Sequence, residues 1–146
     1  MKLHLLLVAS LLAAASAQAR LRETIEECLD RYGKPIDVRV ESMSAVFQKA
    51  GITVIVYFDE HGLADFLHYQ SSTSKPISQS QAKVIAASSM AQPLVEAAED
   101  DGVIWGDLRE RFAFFDRKKS MLYVFTGAGG RRIMDFRQQL EGLRRR

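Results

Sequence analysis

The segment that most constrains the fold is GITVIVYFDEHGLADFLHYQ, residues 51–70. Its first half alternates in the period-two pattern of a strand with one buried face. The run Asp-Glu-His-Gly breaks this pattern, and Gly62 stands where a tight turn needs a positive φ. Apolar residues return over 63–69, so the segment predicts a β-hairpin. We expect its core-facing residues to be Ile52, Val54, Val56 and Phe58. The opposite face, with Ile55 and Tyr57, needs cover from a second hairpin or from a partner.

Further strands are predicted on both sides of this hairpin. Residues 36–41 alternate strictly, which predicts a half-buried strand, and residues 45–48 predict another short strand. Residues 112–115 and 121–125 flank a basic run and predict a second hairpin with a basic tip. Both faces of that hairpin carry large apolar groups. We therefore expect it to lie inside the sheet or to be covered on both sides.

Two capping boxes predict two helices. Thr24 with Glu27 opens a run with one apolar face, and Cys28 lies in the middle of that face. Ser78 with Gln81 opens a second run, whose stripe of small residues would allow close approach to a sheet. Pro93 is expected to end or interrupt this second helix. These patterns predict an α+β domain, an antiparallel β-meander with the Thr24 and Ser78 helices packed on one face.

The last third of the chain has weaker patterns. Residues 94–101 are compatible with a helix, and Trp105 is expected to anchor a loop against the core. Residues 127–130 are glycine-rich and predict a flexible break, since neither a dinucleotide fingerprint nor a Walker lysine accompanies them. Apolar residues at 133, 136, 140 and 143 predict a terminal helix packed lightly on the domain.

The first residues predict an export signal. Lys2 is followed by an apolar run over 5–12, and Ala17-Gln18-Ala19 fits a small-x-small cleavage site. The apolar stretch is short for a membrane span. No cysteine follows the small residues, so we expect export without a lipid anchor. The predicted organisation is an export signal at 1–19 and a single α+β domain at 20–146 with a basic C-terminal helix or tail, in the periplasm or outside the cell.

Charge and cysteine content exclude some classes of protein. The chain has 20 basic and 18 acidic residues, and only Lys2 of these lies in the predicted signal. A nearly neutral mature domain does not suggest a nucleic-acid partner. Cys28 is the only cysteine, so the fold must rely on its core rather than on disulfides. An intermolecular disulfide is one interpretation of Cys28, and its position on a packing face favours a buried hydrophobe.

Residues that could carry chemistry are sparse. His61 and His68 lie near three acidic residues, but a solvated turn explains this grouping better than a metal site, since structural zinc needs four ligands. No nucleophile elbow is present, and Cys28 is not in an exposed electropositive setting. The three acidic residues near the histidines are Asp59, Glu60 and Asp65. We predict no catalytic, cofactor-binding or metal-binding residues.

The C-terminal end is basic, and two interpretations are open. It could contact anionic lipid headgroups or an acidic partner. Alternatively, it is a solvated helix end whose cations complement the helix dipole, which we favour. Its arginines are Arg131, Arg132, Arg137, Arg144, Arg145 and Arg146.

A resemblance to known proteins is carried by the opening of the predicted mature chain. Thr24-Ile-Glu-Glu-Cys28 followed by Arg31-Tyr-Gly-Lys-Pro35 resembles small uncharacterised exported bacterial proteins with a T-x-x-E-C…R-Y-G-x-P opening. The layout of signal, short helix, Gly-x-Pro and strands ending in Phe-Asp-Glu-His-Gly is similar to the SmpA/OmlA outer-membrane assembly family. Those proteins carry a lipid-bearing cysteine that this chain lacks. The resemblance implies an envelope-associated, non-catalytic role with an envelope protein as partner.

Two functional hypotheses follow. The first is a secreted or periplasmic non-catalytic binding or structural module, because no catalytic constellation, metal spacing or nucleotide loop is found. The second is a small exported hydrolase or ligand-binding enzyme with a site near His68, Asp65 and Glu41. A deep pocket at His68 with a perturbed carboxylate would favour the second hypothesis.

Overall fold

The computed structural model describes residues 20–90, 94–107 and 110–144. The predicted export signal at 1–19, Pro93, Arg145 and Arg146 lie outside the described residues. Within them the elements follow in the order α1, β1–β4, α2, β5–β8 and α3. Their bounds are α1 Ile25–Tyr32, β1 Asp37–Arg39, β2 Ser44–Lys49, β3 Ile52–Phe58, β4 Ala64–Ser71, α2 Gln79–Met90, β5 Val95–Glu99, β6 Gly102–Gly106, β7 Arg111–Asp116, β8 Met121–Thr126 and α3 Gly127–Arg144.

The described strands form one antiparallel sheet of eight strands in the order β1-β2-β3-β4-β8-β7-β6-β5. Strands β1 to β4 are a meander, as the sequence predicts, and β5 to β8 are a second meander. The pairing of β4 with β8 joins the two, with Leu67 opposite Val124 and Tyr69 opposite Leu122. The second hairpin therefore lies inside the sheet, as expected from the apolar groups on both of its faces. The α+β class is confirmed.

Helices α1 and α2 pack on one side of the sheet, which we call the core face. Both capping boxes are present: the Thr24 hydroxyl accepts from Glu27 N, and the Ser78 hydroxyl accepts from Gln81 N. Cys28 is fully buried, as preferred from its position. The core is one continuous cluster that extends from α1 and α2 to the far strands, where Trp105 has no exposed surface. This cluster supplies the hydrophobic stabilisation that a chain without disulfides needs.

The central hairpin forms as the sequence predicts. Strands β3 and β4 pair from Ile52 opposite Ser71 to Phe58 opposite Ala64, with an irregularity after Tyr57. The Asp59 carboxylate accepts hydrogen bonds from the N–H groups of His61 (2.9 Å) and Leu63 (3.0 Å). Gly62 has a φ of 74°, which glycine adopts without strain. A structured turn therefore explains the acidic and histidine residues at its tip.

One sequence prediction about the strands is wrong, and two are correct only in part. Residues 94–101 were expected to be helix-compatible, but most of them form β5, because pairing with β6 outweighs the local preference of Ala and Glu. Trp105 lies in β6 rather than in a loop, although it does anchor the core. The strand predicted over 36–41 shortens to β1 and is exposed rather than half-buried, because it lies at the edge of the sheet.

Candidate functional site

The side of the sheet opposite the core face carries aromatic rings, and we call it the aromatic face. Register aligns its residues into two rows that cross the strands, because residues directly opposite each other share a face. One row runs through Tyr57, Phe66, Phe125 and Phe112, and the other runs through Ile55, His68, Tyr123, Phe114 and Ile104. The four central strands thus contribute to a continuous aromatic surface.

The rings of this surface contact one another. Phe66 stacks on Phe125 with centroids 5.6 Å apart and an interplanar angle of 17°. Phe112 lies 5.9 Å from the ring of Phe125, and Tyr57 meets Phe66 edge-on at 5.6 Å. Aromatic pairs at these separations are attractive beyond their area burial. The contacts hold the rings in place as a preformed apolar wall.

Helix α3 begins directly after β8 and contacts β4 and β8. The glycine-rich residues 127–130, expected to be a flexible break, are instead its first turn. A Cβ on Gly129 would lie 2.2 Å from the carbonyl oxygen of Asp65, and one on Gly130 would lie 2.8 Å from the ring of Phe125. Glycine is therefore needed here for close approach of the helix to the sheet, and not for freedom of the backbone.

Two further interactions hold the start of α3. The Thr126 hydroxyl accepts from Gly129 N at 3.0 Å and caps the helix. The guanidinium of Arg132 donates to both carboxylate oxygens of Asp65. Burial raises the pKa of Asp65 above its ordinary value, and the facing Arg132 only partly offsets this effect. Ile133, 7% exposed, completes the contact on the helix side.

Between α3 and strands β6 to β8 lies a cavity of about 730 Å³. This volume is within the range of small-molecule sites. Its wall is mostly aromatic and aliphatic, with charged groups of both signs at the rim. The lining residues are Phe66, Ile104, Phe112, Phe114, Asp116, Lys119, Tyr123, Phe125, Gly127, Gly130, Arg131, Ile133, Met134 and Asp135.

The rim charges are nearly balanced. The ammonium group of Lys119 lies 3.8 Å from the carboxylate of Asp116. Arg131 is exposed and, among the side chains that the structure describes, forms no ion pair. Asp135 is exposed on the next turn of α3. The arrangement offers polar partners at the mouth and no charged group within the aromatic wall.

The three residues of the predicted enzyme site do not line this cavity. His68 stacks on Tyr123 with ring centroids 4.7 Å apart. Asp65 is bound by Arg132 at the start of β4. Glu41 is exposed in the turn after β1 and borders a smaller cavity of about 110 Å³, together with Arg132. The structure thus brings Glu41 near Arg132, the ion-pair partner of Asp65. His68 lies apart from them, in the second row of the aromatic face.

The other chemical candidates also have structural explanations. Asp59 accepts from two backbone N–H groups and from Arg22, whose guanidinium lies 2.7 Å from its carboxylate. Burial acts to raise the pKa of Asp59, but these hydrogen bonds outweigh it and hold that pKa below its ordinary value. Within 20–90, 94–107 and 110–144, no cluster of three metal-ligating side chains occurs. No helix in these ranges is long and apolar enough to cross a membrane.

The basic C-terminal segment divides into two parts. Arg132 is engaged with Asp65, and Arg131 lies at the cavity rim. The side chains of Arg137 and Arg144, like Arg145 and Arg146, lie outside what the structure describes. The interpretation of a solvated helix end is therefore wrong for Arg132, whereas Arg131 is exposed.

The sequence contained one signal for this cavity. The alternating aromatic residues of β7 and β8 predicted a strand pair with two apolar faces, and one of those faces is the cavity wall. The sequence predicts cover for the aromatic face from a second hairpin or a partner, and it does not predict that a helix supplies part of that cover. The second hairpin continues the sheet rather than lying over Ile55 and Tyr57, and α3 covers the neighbouring part of the face. Both residues are half-buried.

No protein-family model matches the sequence, and the curated proteins gave no significant match. Two solved structures are similar. One is a DUF4309 family protein from Bacillus subtilis, 8% identical, with a TM-score of 0.43 over 71% of this chain and 78% of that chain. The other is a cysteine-rich secretory protein from Staphylococcus aureus, 12% identical, with a TM-score of 0.44 over 77% of this chain. This chain spans half the length of the second protein.

Proposed function

We propose that this protein is an exported, non-catalytic binding module that holds an apolar or aromatic small molecule in the cavity between α3 and the aromatic face. One observation carries the proposal. A cavity of about 730 Å³ is walled by stacked rings and bordered by a helix whose glycines allow it to approach the sheet. A preformed concave apolar site of this size is typical of ligand binding.

The chemistry of the wall favours binding over catalysis. Phenylalanine rings neither donate nor accept protons, so they supply contact area and stacking only. The charged groups of the lining are exposed or half-buried at its rim, where water screens them. The one hydroxyl in the wall, that of Tyr123, donates to the sulfur of Met121. His68, Asp65 and Glu41, the residues of the enzyme hypothesis, are absent from the lining. A ligand in this site would be held and shielded rather than transformed.

The rim indicates the shape of the ligand. Since the charges at the mouth are of both signs, they do not select strongly for a cation or an anion. The apolar body of the ligand would enter between the rings, and a polar end would remain at the mouth beside Arg131 and Lys119. We therefore propose an amphipathic molecule with an aromatic or branched apolar body.

The location rests on the sequence. The pattern at 1–19 is that of an export signal, and the resemblance to small exported envelope proteins supports a periplasmic or extracellular location with an envelope protein partner. N-terminal sequencing of the protein recovered from a bacterial culture tests this part. A new N-terminus at Arg20 supports export, whereas an intact N-terminus in the cell interior contradicts it.

Binding is tested with a fluorescent phenylnaphthylamine probe, whose emission rises in an apolar site. The purified protein should bind it saturably at one site. Ile104→Trp, which fills the cavity from its floor, should weaken binding at least about tenfold. Ile55→Trp is the matched control, because Ile55 lies in the same cross-strand row but outside the cavity, and it should bind normally. Equal binding by both variants would refute the proposed site.

A further inference from the structure

The edge strand β1 has one side open for pairing. It is the first strand of the sheet and pairs only with β2 among the described strands. The carbonyl of Val40 accepts from Met43 N at 3.0 Å in the turn that follows, so it points toward β2. Because backbone groups alternate in direction along a strand, those of Val38 also point toward β2, and those of Asp37 and Arg39 point away from the sheet.

The side chains of this edge are unusually apolar on one face. Ile36 is 62% exposed, Val38 is 60% exposed and Val40 is 82% exposed. Natural edge strands are normally protected from pairing by charges, prolines, short length or cover. Strand β1 is three residues long and carries its two charges, Asp37 and Arg39, on one face only. The alternating residues 36–41 predict a half-buried strand. Among the described residues, however, no second element packs over the exposed apolar side chains of this strand. The exposed apolar side chains span residues 36–40, and the open backbone edge of β1, residues 37–39, lies within that span.

The sequence of this edge is complementary to itself. In an antiparallel pair with Val38 opposite Val38 of a second copy, Asp37 lies opposite Arg39 and Ile36 lies opposite Val40. This register places opposite charges together on one face and apolar side chains together on the other. It also makes Asp37 and Arg39 the hydrogen-bonded pair, which is what their outward-pointing backbone groups require.

We propose that β1 pairs with β1 of a second copy of this chain, so that two eight-stranded sheets become one continuous sheet across a twofold axis. The occupant is a second copy because a cross-strand partner must carry an arginine opposite Asp37 and an acid opposite Arg39, in antiparallel order. This chain supplies both at the required spacing. Within one chain the same two side chains pair at 2.8 Å, and the dimer offers each of them a cross-strand partner.

Charge exchange tests the register. Sedimentation equilibrium of the purified protein over a concentration series should show an average mass rising toward twice that of the monomer. In the Arg39→Asp variant, the new acidic side chain of each copy lies opposite Asp37 of the other copy. These two like-charge pairs should weaken association at least about tenfold. Asp37→Arg should do the same. The double exchange D37R/R39D restores opposite charges at both positions and should restore association.

A mixture separates pairing from misfolding. The Arg39→Asp and Asp37→Arg chains, each weakly associating alone, should form a heterodimer when mixed, since every cross-strand pair is then of opposite charge. Val95→Lys on the opposite edge strand, where Val95 is 68% exposed, is the matched control and should associate like the unchanged protein. A protein that stays monomeric up to about 1 mM, or a double exchange that associates no better than the single variants, would overturn the proposal.

Discussion

Replacing Gly129 with alanine is expected to lower the free energy of unfolding by about 1–3 kcal/mol, although alanine favours helices. The new Cβ would lie 2.2 Å from the carbonyl oxygen and 2.8 Å from the carbonyl carbon of Asp65. Real Cβ atoms essentially never approach within 3.0 Å, so the helix must retreat from β4 by at least about 0.8 Å. The obstacle is backbone, which cannot rotate away as a side chain can.

The magnitude follows from the contacts that a retreat would loosen. Ile133 is 7% exposed, and full burial of an isoleucine contributes about 1.5–3 kcal/mol. The ion pair between Arg132 and Asp65 adds about 1 kcal/mol after allowance for the 38% exposure of the arginine side chain. Alanine in place of glycine within a helix raises the free energy of unfolding by about 1 kcal/mol. The losses therefore outweigh the gain.

Urea unfolding followed by the fluorescence of Trp105 measures the change, because this residue is fully buried. Gly127→Ala is the control. A Cβ there meets nothing closer than the end of the Arg131 side chain at 3.6 Å, so stability should stay equal or rise slightly. If Gly129→Ala is as stable as Gly127→Ala, residues 127–130 are a flexible link and the reasoning is refuted.

Two further predictions concern ionisable groups. Burial is the main cause, and the nearby negative charge of Glu23 the second, that raises the pKa of the Cys28 thiol to about 12. A thiol reagent at pH 8 should therefore react with Cys28 only after denaturation. Prompt reaction of the native protein would contradict the burial of this thiol. The pKa of Asp59 is lowered on folding, so its contribution to stability is present above the ordinary aspartate pKa and is lost as pH falls through the lower folded value. The wild type should therefore exceed Asp59→Asn in urea resistance near pH 7, and the difference should shrink below about pH 4; a difference independent of pH would exclude the carboxylate charge as its cause.

Local sequence patterns predicted the first meander, both capping boxes and the turn at Gly62 correctly. Each of these depends on residues only a few positions apart, where alternation, capping and backbone conformation act directly. The local pattern gave a wrong prediction over residues 94–101. Ala and Glu there are compatible with a helix, but pairing with β6 imposes a strand. It failed again at 127–130, since glycine is common both in flexible links and at close packing contacts.

The amino-acid sequence by itself determined which segments are strands with two faces, which positions begin helices, and that Cys28 belongs to a packing face. It also predicted that Ile55 and Tyr57 need some form of cover. Only the tertiary structure decided that β4 pairs with β8, which aligns rings from distant strands into the aromatic face. Such pairing joins residues about 55 positions apart, and no local pattern encodes which edges meet. The cavity, the docking of α3 against Asp65 and the open edge at β1 all follow from that one arrangement of strands.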